Sequence, residues 1–137
     1  MAVTTISTTT QQYVDIDMAF LPNPITGDVN VLRNQNAIKQ SVVDLVMMLP
    51  YEFPKNPSIS TSVNAQLFAT DTPFNREIIK TNIIATLTKF EQRIQIINVT
   101  VTPISNNFST TYQIAIAFYI VGSSTPYTVS TMLQRTR

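Results

Sequence analysis

Carboxylates are the side chains of this 137-residue sequence that could perform acid–base chemistry, because the sequence contains no histidine and no cysteine. A pair of carboxyl groups is the machinery of most glycosidases. The candidate pair is Asp15 and Asp17, which share one face of the segment if it is extended. The remaining candidates are scattered along the chain: Glu52, Asp71, Glu77 and Glu91. The alternative for Asp15 and Asp17 is a solvated turn or a helix-capping pair.

Other site chemistries are excluded by composition. The absence of cysteine removes disulfides and thiolate metal sites, and two glycines do not make a glycine-rich phosphate loop. The formal charge is +1 with no run of basic residues, so we expect no nucleic-acid partner. The longest apolar runs are much shorter than the roughly 20 residues of a membrane-spanning helix. We therefore expect no cofactor, no metal and no membrane partner.

The organisation expected from the sequence is a threonine-rich arm over residues 1–13 followed by one domain over residues 14–137. The arm lacks the basic and apolar blocks of a secretory signal. Only 12% of the residues are charged, so repulsion between neighbouring copies is weak. That composition suits a protein that functions inside a complex.

Two amphipathic helices are predicted after an extended, turn-rich segment over residues 14–28. The first runs from about Asn34 to Leu49, where Pro50 disfavours helical geometry in the preceding residue. The second begins with Thr72 as a capping hydroxyl and Pro73 in the first turn. Its predicted inward face comprises Phe74, Ile78, Ile79, Ile83, Leu87 and Phe90.

Three strands are predicted after the second helix, because the apolar period changes to two. The first presents Ile97, Val99 and Val101 on one face and ends in a turn over residues 103–107. The second covers residues 112–121. The third carries the alternating residues Tyr127, Val129, Thr131 and Leu133. The predicted fold class is α+β, with two helices packed on a C-terminal three-stranded antiparallel sheet and an extended N-terminal arm.

Several short motifs occur together in a particular order. They are Val14-Asp15-Ile16-Asp17, Thr26-Gly27-Asp28 leading to Ala37-Ile38-Lys39-Gln40-Ser41, the loop from Leu49 to Pro57, Gln66-Leu67-Phe68 before Asp71-Thr72-Pro73, and Phe90-Glu91-Gln92-Arg93-Ile94. This arrangement resembles the contractile-tail baseplate wedge family, which includes the sheath-initiating protein of myophages and its type VI secretion counterpart. The hallmark of that family is Glu-Pro-Arg, and Gln92 stands here where the proline is expected.

The resemblance implies a structural, non-enzymatic role in the tail baseplate of a virion, with assembly in the host cytoplasm. Glu91 and Arg93 would dock the protein on the helical bundle of other wedge subunits. The open sheet edge at Tyr127, Val129, Thr131 and Leu133 would accept extended arms of the tail sheath protein as added strands. Six copies per baseplate are expected, and tail tube or hub proteins are further candidate partners.

Each of these assignments has an alternative. Glu91 and Arg93 could form an ordinary exposed ion pair worth about 0–1 kcal/mol. The open edge could be one of the two edges that any three-stranded sheet leaves. Natural edges are usually protected by charge or proline, and the third strand has neither between Tyr127 and Leu133. Two other functions remain open: a tail-associated glycosidase that degrades peptidoglycan, and a chaperone or adaptor that leaves before the particle matures.

Overall fold

The computed structural model describes residues 12–106 and 109–134, with the side chains of residues 105, 106, 109 and 110 left out of the description. Nearly all of the predicted arm over residues 1–13 lies outside the described residues. The chain divides into two compact units, Met1–Ile38 and Lys39–Arg137. The predicted boundary between the arm and a single domain stays a prediction.

The first unit contains a two-stranded antiparallel ribbon, followed by the start of the first helix. Strand β1 (Val14–Ile16) pairs with β2 (Val31–Arg33). Between them, the Asn23 side chain accepts a hydrogen bond from the Ile25 amide at 2.9 Å, and Gly27 adopts a φ of +70°. Glycine suits that left-handed position because it carries no Cβ. The segment is extended and rich in turns, as the sequence indicates.

Helix α1 (Gln35–Met47) begins close to the predicted residue and ends two residues before the predicted end. Its inward residues in the second unit include Val42 and Val46, both fully buried. The Leu49 amide donates to a carboxylate oxygen of Glu52 at 2.9 Å. This bond and the following Pro50 together take Leu49 out of the helical ladder.

Helix α2 (Val63–Gln66) is a single short turn, and α3 (Pro73–Phe90) is the second predicted helix. Thr72 caps α3, because its hydroxyl accepts from the Asn75 amide at 3.1 Å. Ile79, Ile83 and Leu87 are fully buried, as predicted.

The placement of Phe74 on the inward face of α3 was wrong. Its side chain is 76% exposed, whereas the next residue, Asn75, is 5% exposed. One residue corresponds to about 100° around a helix, so the inward stripe runs from Asn75 to Ile79 and Ile83 and excludes Phe74. A polar residue begins the stripe because its amide nitrogen donates to the Gln66 carbonyl at 3.2 Å.

The second unit contains an antiparallel sheet in the order β3-β4-β5, formed by β3 (Ile94–Asn106), β4 (Ser109–Ile120) and β5 (Pro126–Gln134). The central strand β4 buries one face, and its inward side chains are Tyr112, Ile114, Ile116, Phe118 and Ile120. Helix α3 packs against β3. The structure confirms the α+β fold class with its C-terminal three-stranded sheet.

Two details of β3 differ from the sequence prediction. A β-bulge between Ile96 and Asn98 shifts the register, which leaves Ile97 49% exposed while Val99 is buried. An inserted residue inverts the alternation beyond it, and for that reason Ile97 does not share a face with Val99. The predicted turn begins too early, because β3 continues through Pro103 to Asn106. Edge strands tolerate proline, and β3 is an edge strand.

Replacing Thr72 by alanine tests the cap of α3. The Asn75 amide would lose its side-chain acceptor, so we expect Thr72→Ala to lower the free energy of unfolding by about 0.5–2 kcal/mol. Urea denaturation monitored by circular dichroism gives the value. Thr88→Ala, at an exposed position of the same helix, is the matched control. Equal stability of the two variants would contradict the capping role.

Candidate functional site

The Glu91 carboxylate lies where α3 ends and β3 begins, and the side chain is only 4% exposed. Arg93 binds it through two parallel bonds, Nε to Oε1 at 2.6 Å and Nη2 to Oε2 at 2.6 Å. Ser41 of α1 donates its hydroxyl to Oε2 at 2.7 Å. We call Glu91, Arg93 and Ser41 the Glu91 clamp. It is a largely buried bidentate pair and differs from the exposed ion pair considered as an alternative.

The clamp lies where helix α3 ends, and no proline follows Glu91. The Glu91 amide still donates to the Leu87 carbonyl at 2.8 Å, but Glu91 itself has a φ of −118° and a ψ of 82°. The chain therefore leaves helical geometry at the residue whose side chain is held by Arg93 and Ser41. The exit from the helix here coincides with side-chain hydrogen bonds to Glu91, and the next residue is Gln92.

The environment of Glu91 favours its charged form. Burial alone would raise its pKa, but hydrogen bonds from Arg93 and Ser41 and the positive charge of Arg93 hold the pKa below the ordinary value of 4.5. The clamp is therefore ionised at neutral pH.

A groove of about 500 Å³ opens beside the clamp in the second unit. We call it the docking groove. Its apolar lining consists of Leu45, Met48, Phe53, Ile59 and Phe90, next to Ser41, Glu91, Gln92 and Arg93. Arg93 keeps 35% of its side chain exposed. The groove thus combines an apolar floor with one oriented guanidinium, which is a suitable surface for an amphipathic helix of another protein.

The second predicted site is strand β5, whose side chains point alternately to two faces of the sheet. Tyr127, Val129, Thr131 and Leu133 lie on its less exposed face, where Lys39 of α1 stands 5.2 Å from the Tyr127 ring centre. The alternate residues are exposed. Within the described residues β5 pairs with β4 alone, so its other side is the outer edge of the sheet. The four predicted residues all lie in β5. An added strand would bond to the backbone of β5 and not to these side chains.

The candidate catalytic carboxylates have structural hydrogen bonds. Asp15 accepts from the Ile16 amide at 2.8 Å and Asp17 from the Ala19 amide at 3.0 Å. Asp15 lies in strand β1, and the bond from the Ala19 amide to Asp17 is typical of a turn that follows the strand. A glycosidase acid needs a raised pKa, whereas the pKa values of Glu91 and Asp71 are both lowered.

One network was not predicted from the sequence. Asp71 binds Arg76 through two bonds of 2.8 Å, and the Tyr112 hydroxyl donates to Asp71 at 3.0 Å. Hydrogen bonding by Arg76 is the main cause that lowers the pKa of Asp71, and Tyr112 acts in the same direction. The pairing of residues 71 and 76 is local, but Tyr112 lies 41 positions away, and no spacing rule links the two.

Residues 12–106 and 109–134 contain no group of three acidic side chains placed to hold a metal ion. None of the helices in that same part of the chain is long and apolar enough to cross a membrane.

Solved structures with a similar fold include the following two. A chain of the anti-feeding prophage baseplate, determined by cryo-electron microscopy with sixfold symmetrisation, aligns with a TM-score of 0.62 and 17% identity over 92% of this chain and 88% of that chain. A crystal structure from Geobacter sulfurreducens, described as a "putative tail lysozyme", aligns with a TM-score of 0.65 and 16% identity over 73% of this chain and 89% of that chain. No protein-family model and no curated protein matches the sequence.

Replacing Glu91 by glutamine tests the clamp through its pH dependence. At pH 7 we expect Glu91→Gln to lower the free energy of unfolding by about 1.5–3 kcal/mol, because charge-assisted bonds are lost. Since the pKa of Glu91 is lowered by folding, its stabilisation is present above the unfolded pKa and is lost as the pH falls through the folded value. The difference between wild type and variant should therefore shrink below pH 4.5.

Urea denaturation from pH 7 to pH 3 gives this difference. Glu77→Gln is the matched control, because the Glu77 side chain is 68% exposed and lies 3.8 Å from Lys80. An exposed pair of this kind contributes about 0–1 kcal/mol. A Glu91→Gln deficit that stayed constant or grew on acidification would contradict a clamp ionised at neutral pH.

Proposed function

We propose that this chain is a non-enzymatic structural subunit of a contractile-tail baseplate, which docks on neighbouring wedge subunits and templates the first ring of the tail sheath. The observation that carries the proposal is the Glu91 clamp beside the apolar docking groove, at the junction where the sequence resembles the baseplate wedge motif. The likeness to a baseplate chain over 92% of the sequence supports the same assignment.

Docking is the first part of the proposal. A partner helix would place apolar side chains against Leu45, Met48 and Phe53 and an acidic group near the exposed part of Arg93. The clamp contributes by holding the guanidinium in one orientation, so that less side-chain entropy is lost on binding. Wedge subunits with a helical bundle could supply such a helix, with its apolar side chains and an acidic group.

Templating is the second part. Strand β5 has nine residues without charge, its single proline is the first residue, and β3 and β4 build the rest of the sheet behind it. An extended arm of a sheath subunit would add to its outer edge. About five ladder bonds, at roughly 0.5–1.5 kcal/mol net each, give only a few kcal/mol per copy. Six copies in one ring would strengthen the platform through multivalency.

The second candidate function, a glycosidase acting on peptidoglycan, is favoured by the name of the Geobacter structure alone. The lowered pKa values of Asp71 and Glu91 make these two residues unsuited to the role of the general acid. We therefore expect no clearing of peptidoglycan suspensions by the purified protein in a turbidity assay, and clearing that disappears in Asp17→Ala would support the enzyme.

Phe53→Ser tests docking. Phe53 lines the docking groove and is 47% exposed, so we expect the variant to fold normally and to bind its partner about tenfold more weakly, as for a loss of about 1.4 kcal/mol. Quantitative mass spectrometry of purified tails should show fewer copies than in wild type. Tyr51→Asn, an 81% exposed aromatic two residues away and outside the groove, is the control. Normal incorporation of Phe53→Ser would contradict docking in this groove, and absence of the wild-type chain from tails would support the adaptor alternative.

Met132→Lys tests templating separately. Met132 is 60% exposed on β5, and a lysine there introduces the charge that protects natural sheet edges. We expect normal copy numbers of the chain in tails but loss of sheath growth by electron microscopy. Gln95→Lys, at an exposed position of the opposite edge strand, should leave the sheath intact. Full sheaths in Met132→Lys, or equal loss in both variants, would count against strand addition at β5.

A further inference from the structure

Strand β3 forms the edge of the sheet opposite to β5, and a groove runs beside it. Within residues 12–106 and 109–134, β3 pairs with β4 alone. The groove has a volume of about 660 Å³. Helix α3 lines one side of it with Lys80, Ile84 and Thr88, and β3 lines the other side with residues 94–99. We call it the edge groove.

A second cavity of about 290 Å³ extends the edge groove along β3. Lys80, Asn98 and Val99 line both cavities, and the second one continues to Val101. Pro103 follows two residues later, and a proline cannot donate a hydrogen bond to an added strand. The edge that borders the two cavities is therefore residues 94–101, which correspond to about 26 Å of strand.

The β-bulge between Ile96 and Asn98 shapes this groove. Bulges at sheet edges often change the direction of a side chain, and here Ile97 lines the groove while it is 49% exposed. Across the groove, Ile84 of α3 is half-buried. A strand in the groove would cover both isoleucines while it bonds to the backbone of β3, which is how extended peptides add to sheet edges.

The charges of the edge groove favour an uncharged segment. Strand β3 contains no charged residue. The charged side chains that line the two cavities are each paired with an opposite charge within the second unit: Arg76 with Asp71, Glu77 with Lys80, and Glu91 with Arg93. A charged segment would therefore find no unpaired counter-charge among these lining residues.

Residues 2–11 of the chain have the matching chemistry. Their sequence, Ala-Val-Thr-Thr-Ile-Ser-Thr-Thr-Thr-Gln, contains no charge, proline or glycine, and seven of its ten residues are Val, Ile or Thr. These β-branched residues favour strands. Ten extended residues span about 33 Å, which is enough for the edge beside the groove. The two long connections of the chain, residues 17–30 and 48–62, contain prolines and charges and fit less well.

We propose that residues 2–11 of one copy add as a strand to the outer edge of β3 in a neighbouring copy, inside the edge groove. This inference rests on the proposed function, in which six copies lie in one ring. A head-to-tail contact of this kind, repeated from each copy to the next, closes into a ring. Since only 12% of the residues are charged, repulsion between neighbouring copies is weak.

The exchanged strand adds to the two contacts of the proposed function and replaces neither. One added strand is a weak contact by itself, and it becomes effective when docking on the wedge has already brought two copies together. It uses the edge opposite to β5. Sheath growth at β5 therefore does not depend on it.

The absence of native cysteine permits a direct test by crosslinking in assembled tails. Chains with Thr5→Cys and chains with Asn98→Cys are co-expressed, and the purified tails are treated with a short bismaleimide. We expect dimers that contain one chain of each kind, identified by mass spectrometry of the linked peptides. Chains with Thr81→Cys replace the Asn98→Cys chains as the control and should give no such dimer, because Thr81 is exposed on α3 and lines neither cavity.

A chain that carries both Thr5→Cys and Asn98→Cys distinguishes exchange between copies from pairing within one copy. Exchange predicts linked products of two to six chains on a denaturing gel. Products confined to single chains, a link from position 5 to a different tail protein alone, or no link to position 98 in tails that contain the variants would each overturn the inference. The proposed function would stand in those cases. Absence of the wild-type chain from tails would overturn both.

Ser7→Pro, added to the Thr5→Cys chain, tests whether a backbone ladder holds the segment. Proline removes one N–H group and is excluded from the interior of a paired strand, so we expect the crosslink yield with Asn98→Cys to fall about fivefold or more. Ser7→Ala is the matched control and should keep the yield. Equal yields in the two variants would contradict strand addition at β3.

Discussion

The placement of one buried carboxylate governs the second unit of this protein. Glu91 follows the C-terminal end of α3, where the partial negative charge of the helix makes a second negative charge unfavourable. Burial adds to that cost. Arg93 and Ser41 offset both with three bonds of 2.6, 2.6 and 2.7 Å. The carboxylate therefore joins α1, the end of α3 and the start of β3, at the residue where the chain leaves helical geometry.

A second carboxylate, Asp71, precedes the opposite end of α3, where the helix charge favours it. It connects Arg76 of the helix to Tyr112 of the central strand. Helix α3 is thus tied at both ends by an arginine–carboxylate pair, and the apolar stripe of Ile79, Ile83 and Leu87 packs between them. The end at Glu91 also borders the groove that Leu45, Met48 and Phe53 line. In the part of the chain that the structure describes, every buried side-chain nitrogen and oxygen has a hydrogen-bond partner, which suits a rigid subunit of an assembly.

Local signals in the sequence predict much of this architecture. The cap at Thr72 locates the start of α3 to the residue, and the alternation from Tyr112 to Ile120 identifies the central strand. The features that the sequence does not predict depend on contacts between residues that are far apart in the chain. The bulge at Ile97 contains no glycine that would indicate it in the sequence. Phe74 fits an i, i+4 series, but Asn75 takes the inward position because its side chain bonds to the Gln66 carbonyl outside the helix. Glu91 and Arg93 are recognisable from the motif, whereas the burial of Glu91 depends on Ser41, 50 residues earlier.

The two proposed contacts of the baseplate role, a groove beside Arg93 and an edge at β5, lie on one rigidly bonded sheet-and-helix unit. A reconstruction at side-chain resolution of the tail encoded together with this chain tests that account most directly. The account predicts a helix of a neighbouring subunit against Phe53 and Arg93, and an extended sheath segment paired with the outer edge of β5. A map in which β5 is covered by its own chain and lies far from every sheath subunit, with solvent filling the groove, would contradict it.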